Sequence, residues 1–262
     1  MFENKKVFIL GMARSGYEVA KILAARGNKV VLNDSNENQD IEHINELREL
    51  GVELVLGAHP DDLLTSDFDY IVKNPGIRND HKYVVKANEY NIPVINEVEV
   101  AYLLMPEDKT LIGVTGSNGK TTTTTLIYEI IKESGKRTHL TGNIGFPLSK
   151  FVNDIQNGDI VVMEVSVQQL CNLDKFKTDI SVLTNIYEAH LDFVGGFENY
   201  CNIKKRIFNH HINTDCAIIN CDNEASLNIS NDILSHKKYF SGSKESIDGC
   251  YIKDNNIYYF YT

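Results

Sequence analysis

Between Thr115 and Thr124 the chain reads TGSNGKTTTT, a run whose residue types suit the binding of a phosphate. It follows the apolar stretch LIGV (111–114), which reads as a buried strand, and opens TTTTTLIYEII (121–131), which reads as a helix. A strand, a Gly-rich turn, a lysine and a helix N-terminus together aim free backbone N–H groups and the positive end of a helix dipole at an anion. In such a loop Lys120 would reach the terminal phosphates and the Thr121 hydroxyl would sit on Mg²⁺. The spacing departs from the usual pattern, which needs Gly at position 114, where this chain has Val114.

Further along, other strand ends carry candidate residues. Glu164 closes the apolar run IVVM (160–163), and a carboxylate there is a hard oxygen donor suited to Mg²⁺. Ser166 and Gln169 follow; they could touch a metal-bound water or substrate, or equally cap the next helix. His190 lies just past the strand-like SVLTNI (181–186), on the face where parallel sheets bind ligands. Lys204, in IKKR, reads from its neighbours as part of a solvated helix face. His210 and His211 lack partners at metal-ligand spacing and read as surface.

A second Gly-rich turn, GMARSG (11–16), follows the first strand. It is not GxGxxG, because position 13 is Ala. Asp34 ends the second strand about 20 residues on, where a dinucleotide fold places its ribose-binding acid.

The elements that must position these residues alternate. Strands are expected at 6–10, 29–34, 52–57, 69–76 and 92–96, with helices at 17–27, 41–51 and 81–91. EVEVAYLLMPEDK (97–109) reads as a helix and then a connection, with Pro106 marking a boundary. The pattern resumes with strands at 159–165, 179–186, 215–222 and 237–241, then a hairpin over 250–261 turning at DNN (254–256). Thr is a weak helix former, so the helix after Lys120 should depend on packing of Leu126, Ile127, Ile130 and Ile131. The expected fold class is α/β: a Rossmann-like parallel-sheet domain over 1–94, then a P-loop-type α/β domain over 95–262.

Composition sets outer limits. A net charge of −10 argues against broad nucleic-acid binding. Five cysteines without CxxC spacing suggest free thiols in a reducing compartment and no zinc site. No apolar run approaches the ~20 residues needed to span a bilayer, and the N-terminus lacks signal-peptide architecture, so a cytoplasmic protein without membrane partners is expected.

Taken in order, LGMARSG (10–16), Asp34, NPGI (74–77), TGSNGKTT (115–122), GNIG (142–145), MEVS (163–166), NIYEAHLD (185–192) and YxxxKxRI (200–207) resemble the Mur ligases across the whole chain. The Arg-Ser-Gly of the first block favours the D-glutamate-adding branch. The resemblance implies a cytoplasmic, monomeric enzyme of peptidoglycan precursor synthesis that joins D-glutamate to UDP-N-acetylmuramoyl-L-alanine with ATP. It implies that Gly11, Met12, Ala13, Arg14, Ser15 and Gly16 hold the diphosphate of the UDP-substrate. Asp34 and Ser35 would lie near the uracil, with Asn74, Gly76, Ser166 and Gln169 also on the substrate. ATP would lie on Gly116, Ser117, Asn118, Gly119, Lys120, Thr121 and Thr122, with Asn143 near the nucleotide or acyl phosphate. Thr121 and Glu164 would hold one Mg²⁺. His190 and Lys204 would support a second, Lys204 as a carbamate formed from CO₂; Lys120, His190 and Lys204 would be the catalytic set.

Some residues depart from the family pattern. Val167 and Gln168 replace Ser-Phe after Ser166, Val194-Gly195 replaces His-Gly, and Asn74 replaces a Ser before Pro-Gly. The sequence stops at Thr262 within a β pattern, while the family carries a third domain and an Asn-rich helix at adenine, so the 262-residue chain by itself is expected to be catalytically incompetent. A sister ligase of the superfamily, a non-catalytic UDP-sugar-binding fragment and a nicotinamide oxidoreductase are the rival readings. The missing GxGxxG and the second phosphate loop argue against the last.

Overall fold

The computed structural model describes residues 2–245 and 248–260; the expected end of the hairpin at Tyr261 lies outside them. The chain divides into two compact units: residues 1–105 with 146–154 and 171–174, and residues 106–145, 155–170 and 175–262. The main segment of the first unit thus ends directly before Pro106. Two short returns of the chain, which no composition shift marks, complete it.

The first unit is a parallel sheet in the order β3-β2-β1-β4-β5. Its strands are β1 (Lys6–Leu10), β2 (Lys29–Asp34), β3 (Glu53–Leu56), β4 (Tyr70–Lys73) and β5 (Val94–Ile95), joined through helices α1 (Ala13–Ala25), α2 (Ile41–Glu49) and α3 (Lys82–Glu89), with α4 (Glu97–Leu104) after β5. The apolar runs of β1 and β4 are buried because helices must cover a parallel sheet. Phe8, Leu10, Phe68, Ile71, Tyr83 and Ala87 share one core. Helix α1 begins at Ala13, four residues before the expected start, inside the Gly-rich turn. Gly16 explains how: a Cβ there would lie 1.9 Å from the Gly11 carbonyl oxygen, so only glycine lets the first helical turn close on the strand end.

Among the described residues, three side chains of charged residue types are buried in this unit: Lys73, Glu97 and Glu99. Burial pushes the Glu97 carboxyl up to about 7, opposed by the Ser149 backbone N–H that donates to it. Lys73 is 1% exposed, donates to the Ile77 carbonyl and is pulled down to about 8 by burial. The signs oppose. Between pH 4.5 and about 7 the folded state holds a proton on Glu97 that the unfolded chain has lost, so stability falls as pH rises through that window. Between about 8 and 10.5 the unfolded chain binds the Lys73 proton that the folded state lacks, so stability rises with pH there. Glu97→Gln mimics the protonated acid. It should be more stable than wild type by about 3 kcal/mol at pH 8, a gap closing toward pH 4.5, as read by urea unfolding at several pH values. A gap independent of pH would refute the assignment to Glu97.

The second unit is an eight-stranded sheet in the order β13-β12-β11-β10-β9-β6-β8-β7, parallel except for the final β12–β13 hairpin. Its elements are β6 (Thr110–Thr115), α5 (Lys120–Glu133), β7 (Thr138–Gly142), β8 (Ile160–Glu164), α6 (Val167–Leu170), β9 (Ile180–Leu183), α7 (Leu191–Val194), α8 (Phe197–Lys205), β10 (Cys216–Asn220), α9 (Glu224–Ile229), β11 (His236–Ser241), β12 (Gly249–Lys253) and β13 (Asn256–Phe260). Helix α5 packs Ile127 and Ile131 on Ile112, Ile160 and Val162. The other two expected packing residues do not help: Leu126 is 58% and Ile130 62% exposed, because they fall on the opposite face of the turn, while Thr124 is buried. His211 also departs from expectation. It is buried, its Nε2 3.0 Å from both Thr178 Oγ1 and Ser181 Oγ and its Nδ1 2.9 Å from Ser235 Oγ, whereas His210 is exposed. Among the described residues no helix is long and apolar enough to cross a membrane.

Candidate functional site

In each sheet the strand order reverses beside the first strand, and each Gly-rich turn leaves the carboxyl end of that strand. Open parallel sheets bind ligands at such a crevice.

In the second unit the turn after β6 is fixed by side chains from the neighbouring strand ends. Gly116 adopts φ +149°, and a Cβ on it would lie 1.9 Å from Thr184 Oγ1. The Ser117 and Asn118 amides donate to the Asn185 carbonyl and Oδ1, each at 2.9 Å. Thr184 Oγ1 and Asn185 Nδ2 donate back to the Asn118 carbonyl. Ser117 Oγ lies 2.9 Å from the Tyr187 carbonyl and from the Tyr200 hydroxyl. With those two amides taken, the first-turn amides of α5 remain as the anion-facing donors, having no intrahelical acceptor. The N-cap is Gly119 at φ +79°, so no side chain caps them. Thr122 lies in this turn. Lys120 folds back to donate to the Ser117 carbonyl at 2.9 Å; burial lowers its pKa, partly offset by the Glu164 carboxylate.

Glu164 is 2% exposed at the end of β8. Its Oε2 accepts from Thr121 Oγ1 at 2.6 Å and its Oε1 from Asn143 Nδ2 at 2.9 Å. Gly142, at φ +94°, lets β7 approach: a Cβ there would sit 2.2 Å from the Glu164 carbonyl oxygen. A hydroxyl and a carboxylate already paired beside a lysine and a helix N-terminus fit the oxygen chemistry of Mg²⁺, which takes one or two carboxylates and completes its shell with phosphates and water. The described residues contain no cluster of three or more His, Cys, Asp or Glu that could cage a metal by themselves.

The remaining expected residues are spread around this centre. Lys204 is not on a solvated face: it is 1% exposed, and Nζ donates to Thr115 Oγ1 at 2.9 Å and the Gly116 carbonyl at 3.0 Å. The solvated lysine is its neighbour Lys205, paired with Asp232. His190 is exposed, in a left-handed conformation at the start of α7. Ser166 and Gln169 close a capping box on α6: Gln169 Oε1 accepts from the Ser166 amide and hydroxyl, and the Gln169 amide donates to Ser166 Oγ.

In the first unit, Gly11 (φ +90°), Ala13, Asp34, Ser35 and Asn74 line a cavity of about 320 Å³ together with Ile77, His59 and His81. Asp34 Oδ2 accepts the Met12 amide at 2.7 Å and Oδ1 the Asn36 amide at 2.8 Å, so this acid pins the turn. Asn74 Nδ2 donates to Ser15 Oγ, and its Oδ1 accepts the Gly76 amide. Arg14 is exposed on the first turn of α1. Sequence reasoning missed Asn33, His59, His81, Thr184 and Asn185; the last two sit in the strand end TN before IYEAHLD, where the sheet topology would have pointed.

Two doubly wound sheets each carry a Gly-rich turn at the switch point, and one of them a lysine on an uncapped helix N-terminus, an α/β arrangement suited to an anionic phosphate. The chain belongs to the Mur ligase family: the Mur ligase middle domain matches residues 114–261, and the Mur ligase MurD-like N-terminal domain matches 5–96. It is 41% identical over 258 residues to the UDP-N-acetylmuramoylalanine–D-glutamate ligase of Geobacillus kaustophilus, covering 98% of this chain and 57% of that protein. It is 43% identical to the same-named ligase of Streptococcus agalactiae serotype III, covering 98% and 56%. The chain thus spans somewhat over half the length of these relatives. Among solved structures, it shares its fold with UDP-N-acetylmuramate:L-alanyl-gamma-D-glutamyl-meso-diaminopimelate ligase from Neisseria meningitides, at TM-score 0.61, 15% identity and coverage of 94% and 82%. It also shares it with UDP-N-acetylmuramate-alanine ligase from Thermotoga maritima, at TM-score 0.54, 22% identity and coverage of 92% and 53%.

Proposed function

We propose that this chain is the nucleotide-sugar-binding and ATP-binding portion of a ligase that joins D-glutamate to UDP-N-acetylmuramoyl-L-alanine in cytoplasmic peptidoglycan precursor synthesis. The observation that carries the reading is the set Lys120, Thr121, Asn143 and Glu164 gathered at one sheet edge. The names of the relatives supply the substrates.

In this reading the lactoyl-alanine carboxylate attacks the γ-phosphorus of ATP, ADP leaves, and an acyl phosphate forms. The D-glutamate amine then attacks the acyl carbon, and phosphate leaves as the amide forms. Lys120 and the first-turn amides of α5 stabilise charge developing on the transferred group. Thr121 and Glu164 would hold Mg²⁺, which when bound neutralises charge on the phosphate oxygens. Asn143 keeps Glu164 turned toward Thr121. Lys204, buried against the loop, is the candidate for carbamylation, and with His190 it would support a second metal. The turn of Gly11 to Gly16 holds the diphosphate of the UDP-substrate, with Asp34 fixing its shape. No protein nucleophile is required.

Calorimetric titration tests the first-unit assignment. UDP-N-acetylmuramoyl-L-alanine should bind this chain, and NAD should not. Binding of NAD in its place would overturn the ligase reading.

A further inference from the structure

A second cavity of the first unit, of about 470 Å³, lies between α3 and the edge strand β5. Four asparagines converge on it, Asn79, Asn88, Asn91 and Asn172, above an aliphatic floor that includes Val84 and Ile92. No charged side chain lines it among the described residues. None of the four carboxamides has a hydrogen-bond partner among the described residues, and Asn172 Oδ1 is buried as well as unpaired. The protein therefore does not fix which end of the Asn172 carboxamide faces the cavity. The buried asparagines of the same unit behave otherwise. Asn28 and Asn33 donate to main-chain carbonyls, and Asn96 accepts the Glu99 amide. Polar groups withdrawn from water are normally paired in this way, so an unpaired one asks for a partner from outside the chain. Asn91 has a main-chain reason for its type, since it follows α3 at φ +56°, a left-handed position that asparagine tolerates. None of the other three adopts a positive φ.

The chemistry of the wall selects the ligand. An ion would find no countercharge here and would lose its hydration. Each carboxamide offers two N–H donors and a carbonyl acceptor in one plane. Neighbouring ring hydroxyls match that pair, one oxygen accepting while the next donates, and the C–H face of a pyranose suits an aliphatic floor. We propose that this cavity is a binding site for a neutral saccharide, its hydroxyls held by Asn79, Asn88, Asn91 and Asn172. The site shares no lining residue with the cavity at Gly11, so it does not depend on the ligase reading.

The test is ¹⁵N–¹H correlation NMR of the whole chain, in which every asparagine side chain gives its own pair of NH₂ signals. Maltose or cellobiose should move the pairs of Asn79, Asn88, Asn91 and Asn172 together along one millimolar isotherm, the strength that a few neutral hydrogen bonds support. Gluconate, which is charged, and sorbitol, which has no ring, should bind about fivefold more weakly or not at all. Asn79→Leu and Asn88→Leu change exposed positions and should each weaken the disaccharide about fivefold, with the backbone signals of the core unmoved. Four pairs that stay in place at about 50 mM of either disaccharide would overturn the proposal. So would sorbitol binding equal to theirs, or unchanged affinity in both variants. Movement of the same signals by a blocked dipeptide amide, with none by the disaccharides, would give the cavity to a peptide instead.

Discussion

Lys120→Met in the full-length ligase is expected to lower ATP-driven amide formation about 10³-fold while leaving the affinity for the UDP-substrate unchanged. The side chain is partly withdrawn from water, donates to the Ser117 carbonyl, and lies where the terminal phosphates would meet the first turn of α5. In such a site a fixed positive charge acts far more strongly than in water, and methionine keeps the length of the stem but removes the charge. Steady-state assays of ADP release separate the effects. A loss in kcat with KM for the UDP-substrate held is expected; a rate within tenfold of wild type would remove Lys120 from the chemistry.

Gly116→Ala should destabilise the second unit by about 3 kcal/mol and abolish nucleotide binding to it. The φ of +149° is open only to glycine, and the new methyl would meet Thr184 Oγ1 at 1.9 Å and the Asn185 backbone at 3.1 Å. Thr184 and Asn185 hold Asn118 in place, and Lys204 donates to the Gly116 carbonyl, so relief of the clash would move the loop and its supports together. Gly135→Ala is the control. It has φ +80° with nothing within 4 Å of the added atom, and should cost only about 1 kcal/mol. Chemical denaturation of the two variants reads the difference; equal costs would show that the Thr184 contact is not what fixes the glycine.

Much of this site was legible because its signals are local. Gly116, Lys120 and Thr121 lie in one run between an apolar strand and a helix, and Glu164 ends a strand without a break in its apolar pattern. The β1, β2 and α2 segments declared themselves by periodicity and by closing glycines. What failed was non-local. Lys204 looked solvated because Lys205 and Arg206 are; only the fold brings its amine to Thr115, 89 positions away. His211 reads as surface beside His210 until Thr178, Ser181 and Ser235 arrive from other elements. The edge strand β7, THLTG, carries threonine and histidine and lacks an apolar run, so it leaves little trace. The Leu126–Ile131 stripe shows the converse: four apolar residues in a helix predict a core face, but only Ile127 and Ile131 meet the sheet.

The direct test of the account is to catch the activated carboxylate. The full-length protein, given ATP, Mg²⁺ and UDP-N-acetylmuramoyl-L-alanine without D-glutamate, should yield an acyl phosphate that borohydride reduces to the alcohol, detectable by mass. Lys120→Met should not yield it. Transfer that proceeds with no reducible intermediate in the wild type, or ATP hydrolysis indifferent to the UDP-substrate, would contradict the assignment of this centre to carboxylate activation.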